Sequence, residues 1–279
     1  MASSLERLLD DVTHSWRAMP KRQALRWYGA VLRNAPQVVR ERKLYSADRE
    51  MRGEVCFFLF GKTFAMDLDA LNSTDENGYA FLRELFVRQI YFRAFKDLKV
   101  KTCLDFGCNT GTVSTFLKQL AGPEGRVVGV DALVYPDNAY RRRVIAMPGI
   151  TLHQGVVGGE SLRKDAAALS ALCERFHFDA NLVISVGELM EMYDLQHIDF
   201  LKMDIEGAEF EMFRDATPWW ERVDNLAMEV HRRSGDPAEI IGRLRQVGFQ
   251  VKWLDDAGYP VAPSQAGYIY ASRTGSLKA

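Results

Sequence analysis

Two parts of the sequence concentrate residues able to do chemistry. The first is DFGCNTG, residues 105–111, which continues the apolar run TCL and precedes a helical pattern. In open α/β sheets a ligand sits where such a strand ends and turns into a helix. Gly107 permits a tight turn and a close approach of backbone to ligand. Asp105 offers a carboxylate to a cation. A dinucleotide fingerprint instead reads G-x-G-x-x-G and sets a pyrophosphate on a helix N-terminus. An acid there repels a pyrophosphate and suits a methionine-type ammonium, so S-adenosylmethionine is favoured over a nicotinamide dinucleotide. Asp105, Gly107, Cys108, Asn109 and Gly111 are its candidate contacts. Asp131 ends the run RVVGV twenty residues past Gly111, about where an acid accepts ribose hydroxyls. Val156 is a positional candidate for the adenine.

The second part is IDFLKMDIEGAEFEMF, residues 198–213, followed by NLAMEVH. Strand alternation puts Lys202, Asp204 and Glu206 on one side, and Glu229 and His231 likewise. Gly207 lets the chain turn into a helix. If the two strands are neighbours, the five side chains surround one crevice. Removing a proton from a hydroxyl needs a base. His231 has a suitable unperturbed pKa, ~6.5. Asp204 or Glu229 would orient it, or serve as the base if a neighbouring acid raised its pKa. Lys202 is expected to pair with Asp204 or Glu206. The plainer alternatives are an ion pair that shapes the turn and a hydrogen-bonded strand-end histidine. Asp204, Glu229 and His231 could also hold a Mg²⁺ ion, although nothing in their spacing requires a metal.

Together, DFGCNTG, IDFLKMDIEGAEFEMF and AMEVH resemble the FkbM-type family of S-adenosylmethionine-dependent methyltransferases. The resemblance spans roughly residues 54–271 and is most specific in the Lys-x-Asp-x-Glu-Gly-Ala-Glu stretch. It implies a class I methyltransferase fold and O-methylation of a sugar, glycan or natural-product hydroxyl. It also implies that Asp105, Gly107, Asn109 and Gly111 form the methionyl loop and that Asp131 is the ribose acid. Cys108 stands where the family usually has Ala, and Asp131 where Glu is commoner.

The elements that must position these residues follow from pattern. Residues 99–271 alternate short apolar runs (TCLDF, RVVGV, TLHQGVV, NLVIS, DFLKMD, NLAMEV, FQVKWL, YIYA) with helix-length stretches. This predicts an α/β fold, a doubly wound, mostly parallel seven-stranded Rossmann-like sheet, with its last two strands antiparallel. Residues 51–98 read as a hairpin around Gly61 and a helix over 76–97, a cap on the substrate side. Arg88 and Tyr91 there are expected at the surface and in the core, respectively. Residues 1–50 read as an N-terminal helical appendage broken at Pro20 and Pro36. Over residues 17–43 it carries eight Lys/Arg against Glu41 alone. Leu25, Tyr28 and Leu32 give it one apolar face. That face either packs on the main domain or forms a basic amphipathic surface for a membrane or partner.

The chain has 279 residues, 36 Lys+Arg and 37 Asp+Glu, for a net charge of −1. This balance argues against a global nucleic-acid footprint. Four scattered cysteines suit reduced thiols and a cytoplasmic location. No apolar run approaches the ~20 residues of a membrane span. The expected partner is a small-molecule or glycan acceptor. The competing function class is a catalytically silent protein that binds through its basic helices.

Overall fold

The computed structural model describes residues 4–72, 78–132, 139–158, 160–176, 182–214 and 218–278. The elements in chain order are α1 (Ser4–Ala18), α2 (Lys21–Arg33), α3 (Ala35–Glu41), α4 (Tyr45–Asp48), β1 (Glu54–Leu59), β2 (Lys62–Asp67), α5 (Leu68–Asn72) and α6 (Gly78–Arg83). They continue with β3 (Thr102–Phe106), α7 (Thr112–Ala121), β4 (Arg126–Asp131), α8 (Ala139–Ile145), β5 (Ile150–Gln154), β6 (Val156–Val157), α9 (Glu160–Lys164), α10 (Ala166–Phe176) and β7 (Val183–Ile184). The last are α11 (Val186–Met192), β8 (Ile198–Met203), α12 (Glu209–Arg214), β9 (Val223–Glu229), α13 (Pro237–Gln246), β10 (Gln250–Leu254) and β11 (Tyr268–Ser272). The chain divides into two compact units between Arg93 and Ala94, with Tyr140 assigned to the first.

In the first unit β1 and β2 form an antiparallel hairpin in the register Leu59↔Lys62. Its two-residue turn, Phe60 and Gly61, has φ of 49° and 70°. Positive φ at both positions gives the turn whose twist suits a tight hairpin. Val55, Phe57, Phe64 and Met66 point inward. The predicted helix over 76–97 is shorter, and its first residues lie outside the described ones. α6 passes into a π-helical turn, Glu84–Arg88, which stops at Gln89 with φ 55°. The polar centre of this unit is Arg83. It forks onto Asp48 (Nε–Oδ1 3.3 Å, Nη2–Oδ2 3.0 Å) and also reaches Asp11. Trp27 donates to Asp48 Oδ1 at 2.9 Å. Arg88 donates twice to Asp11, each at 2.7 Å, so it is a structural cation; Tyr91 is buried.

The second unit is built on a seven-stranded sheet in the order β10-β11-β9-β8-β3-β4-β5. β11 runs antiparallel to both of its neighbours; the other pairs are parallel. This is the expected doubly wound, class I methyltransferase-like architecture. NLVIS does not join the main sheet. Its strand β7 pairs with β6, the tail of TLHQGVV beyond Gly155, in a separate two-stranded sheet. The apolar strands are covered by helices: Phe210, Met212 and Phe213 of α12 and Ile240, Ile241 and Leu244 of α13 join Leu104, Val128, Leu201 and Leu226 in one core. Because β3, β4, β8 and β9 are parallel, Phe106, Asp131, Met203 and Glu229 all end at one edge of the sheet.

Candidate active site

At that edge the chain turns sharply after β3. Gly107 has φ +70°, and its N–H and that of Cys108 both donate to Val130 O (2.9 and 3.1 Å). A Cβ at Gly107 would lie 1.7 Å from the carbonyl oxygen of Asp204. Only glycine lets the turn after β3 lie directly on the turn after β8. Asn109 is left-handed at φ 51°, and its N–H donates to Asp131 Oδ2 at 2.8 Å. Gly111, at φ +91°, is the residue just before α7; a Cβ there would meet Val144 at 2.7 Å. Asp131 is thus tied to the glycine turn at its rim, half-buried at the end of β4. Cys108 is buried, and burial pushes its thiol pKa well up, so its side chain is a packing group. Val156 packs with Leu162 and Val183 beside Ala132.

Asp105 departs from its expected role. It is fully buried, accepts from Ser114 Oγ (2.7 Å) and lies 3.3 Å from Lys202 Nζ. Its carboxylate faces a cation of the protein, not a ligand. Lys202 in turn stands 4.0 Å from Asp204 and donates to the carbonyls of Phe106 (3.1 Å) and Gly107 (2.8 Å). The closest carboxylate to Lys202 is therefore Asp105, which neither expected pairing included. The reason is register: Asp105 and Lys202 are direct partners across β3 and β8. Burial raises the Asp105 pKa against the pull of Lys202 and Ser114. Burial works to lower that of Lys202, but the charges of Asp105 and Asp204 outweigh it. The pair clamps the glycine turn from beneath.

His231, just past β9, is the hub of the half-buried acid–histidine cluster. Its Nδ1 lies 2.9 Å from Glu209 Oε1, and its Nε2 lies 3.5 Å from Glu206 and 3.9 Å from Asp204. Glu209, the first residue of α12, is fully buried. The same Oε1 accepts from the Ile205 N–H at 3.1 Å, while Oε2 is buried without a hydrogen-bond partner among the described residues. So the carboxylate that orients His231 is Glu209, not Asp204 or Glu229. It was legible as the last acid of Glu-Gly-Ala-Glu, but no spacing rule ties it to a histidine 22 residues on. Its hydrogen bond is the main force raising the His231 pKa to about 9. Near neutral pH His231 is then an imidazolium and cannot accept a proton. Glu229 behaves oppositely to an ordinary carboxylate. Burial, and then the Asp204 charge, raise its pKa to about 7, with Tyr268 donating to its Oε2 at 3.3 Å. Glu206 sits on a left-handed residue (φ 56°) and its side chain is 62% exposed.

The donor atoms of Asp204, Glu209 and His231 all lie within 4.8 Å of one another, a group that a divalent ion could bridge. It differs from the expected trio in having Glu209 in place of Glu229. His197, Asp199 and Asp224 form a second such group at the opposite end of β8 and β9.

The fold is class I methyltransferase-like. Residues 182–251, which hold β8, α12, β9 and the acid–histidine cluster, match the methyltransferase FkbM domain, in agreement with the resemblance in the sequence. Over 80 residues the chain is 38% identical to methyltransferase sdnD of Sordaria araneosa, covering 28% of this chain and 30% of that protein's length. Among solved structures it is similar to a cyclopropane-fatty-acyl-phospholipid synthase-like protein from Lactobacillus casei, at TM-score 0.39 and 13% identity over 68% of this chain and 79% of that one. A SAM-dependent methyltransferase from Aquifex aeolicus is similar at TM-score 0.30 and 14% identity, over 62% and 82% of the two chains. Among the described residues no helix is long and apolar enough to cross a membrane.

Proposed function

We propose that the chain is an S-adenosylmethionine-dependent methyltransferase acting on a hydroxyl of a small-molecule acceptor, a sugar, glycan or natural product. The observation that carries this reading is the contact of Gly107 with the Asp204 backbone, which sets the glycine turn directly beside the acid–histidine cluster. Asp131 and the backbone of residues 107–111 are the groups that would hold the nucleoside and methionyl parts. The carboxylates Asp204, Glu206 and Glu229 suit a cationic ligand. When bound, S-adenosylmethionine supplies an electrophilic methyl group.

The chain's own part is to align the acceptor, exclude water and take a proton. Glu229, with a pKa of about 7, is poised to accept the hydroxyl proton. His231, held protonated by Glu209, donates through Nε2 and orients the acceptor. The intact cluster speaks against the catalytically silent alternative. Calorimetric titration with S-adenosylhomocysteine, beside NAD, tests the reading. Saturable binding of the adenosyl ligand alone is expected, and its absence would overturn it.

A divalent cation in the cluster is a second reading. It is favoured by the buried, unpartnered Oε2 of Glu209 beside Asp204 and His231. Hard cations such as Mg²⁺ take carboxylate oxygens. Activity that EDTA removes and Mg²⁺ restores would support it; activity indifferent to EDTA would exclude it.

A further inference from the structure

The apolar stripe of α2 faces out of the protein. Leu25 is 59% and Leu32 76% exposed, whereas the buried side of the same helix is Ala24, Trp27 and Ala30. At 3.6 residues per turn, Leu25 and Leu32 lie within about 20° of each other, on the side opposite the buried residues. α3 extends the pattern, with Val38 buried and Val39 74% exposed. On α1, Leu9 and Trp16, seven residues apart, are 57% and 43% exposed. Trp16 stacks on Tyr28 of α2 at 6.2 Å, so the exposed ring adjoins the α2 stripe. Lys21 lies over that ring at 6.0 Å.

Burial of a leucine side chain is among the largest favourable terms available to a small fold. Trp27, with Ala24 and Ala30 beside it, fills the inner side, and packing of this unit leaves Leu25 and Leu32 uncovered. The charges around the stripe indicate what covers it. Of the eight Lys/Arg in residues 17–43, Arg33 pairs with Glu50 and Arg40 with Glu41, while Lys21, Arg22 and Arg26 stand exposed on α2. A second copy of the chain would oppose these charges with the same set. A neutral apolar partner would leave them unmatched. Lysines and arginines flanking exposed leucines and a tryptophan are the composition of a helix face that lies in the interface of an anionic bilayer.

We propose that the outer face of α1, α2 and α3 docks on an anionic lipid surface, the leucines and Trp16 entering the headgroup boundary and the basic residues meeting lipid phosphates. This does not rest on the methyltransferase reading. The test is co-sedimentation of the full chain with vesicles of phosphatidylcholine alone or mixed with phosphatidylglycerol, at low and high salt. Binding confined to the mixed vesicles and weakened by salt is expected. The double variant Leu25→Ser/Leu32→Ser, at exposed positions and with unchanged melting, is expected to lower the partition at least about tenfold, given ~0.8 kcal/mol per buried methylene. Arg22→Glu is expected to weaken binding to the mixed vesicles in the same direction. Three results would overturn the proposal: no binding to either vesicle, equal binding to both, or undiminished binding of the double variant. A concentration-dependent dimer that the double variant abolishes, without vesicle binding, would reassign the stripe to self-association.

Discussion

Glu209 and Glu229 set the two protonation states on which the site turns. Both effects give the same sign of pH dependence. The folded state holds a proton on Glu229 up to about pH 7, where the unfolded chain would release it near the ordinary value of 4.5. It likewise holds a second proton on His231 up to about 9, against 6.5 when unfolded. The stabilisation from the charged His231 is complete below 6.5 and is lost as pH rises through 9. Thermal melts should therefore show stability declining from pH 5 to 9. Glu229→Gln should flatten the lower part of that decline and His231→Gln the upper part. In activity, the Glu229 base predicts a rate limb near pH 7 and a ~10²–10⁴-fold loss in Glu229→Gln. A limb that survives in that variant and vanishes in His231→Gln would place the base on His231. Asp131→Ala should weaken adenosyl-ligand affinity by ~1.5–3 kcal/mol, the worth of a charged acceptor; calorimetry reads this directly, and unchanged affinity would make Asp131 only a clamp on Asn109.

At the scale of elements, the site is made by turns that touch. Gly107 carries both a left-handed backbone and a contact that leaves no room for a Cβ. Gly122, at the end of α7, is also at positive φ (+82°) but has nothing within 4 Å of a Cβ. The two glycines separate conformational cost from collision. Gly122→Ala should cost only the backbone term of ~1–3 kcal/mol. Gly107→Ala should cost clearly more in urea denaturation and also abolish adenosyl-ligand binding, because the Asp204 turn has to move. Equal losses in the two variants would mean that the Gly107 turn relaxes without disturbing Asp204. The glycine turn, Asp131 and both acid-rich strand ends were legible because each depends on residues close in sequence. The Lys202–Asp105 pair and the Glu209–His231 pair were not, since they join residues 97 and 22 positions apart.

For the whole molecule, a net charge of −1 conceals two opposite regions. Carboxylates gather at the carboxyl ends of the sheet, and bases gather over residues 17–43. The first unit also buries charge. Arg83, Asp11 and Asp48 are each about 2% exposed, and Arg83 alone links α1, α4 and α6. Arg83→Met leaves two acids facing each other in the interior with Arg88 the remaining counter-charge, and should destabilise by ~3–5 kcal/mol. Chemical denaturation measures this. A loss below ~1 kcal/mol would mean that water reaches the acids once the guanidinium is gone.

Taken alone, the sequence determined the α/β class, the position of the glycine turn, the acid at the end of β4 and the strands that carry the acid–histidine cluster. Period-two and helical patterns and positive-φ turns are local properties, and local properties are written in adjacent residues. Tertiary structure decided who faces whom. Register across β3 and β8 joined Asp105 to Lys202, and the fold of α12 beneath β9 brought Glu209 to His231. It also decided which side of α2 is inside, which the sequence left open: Leu25 and Leu32 lie on the solvent side, because Ala24, Trp27 and Ala30 fit against the rest of the unit. Pairings and facings of this kind arise from long-range packing free energy, which no single stretch of the chain encodes.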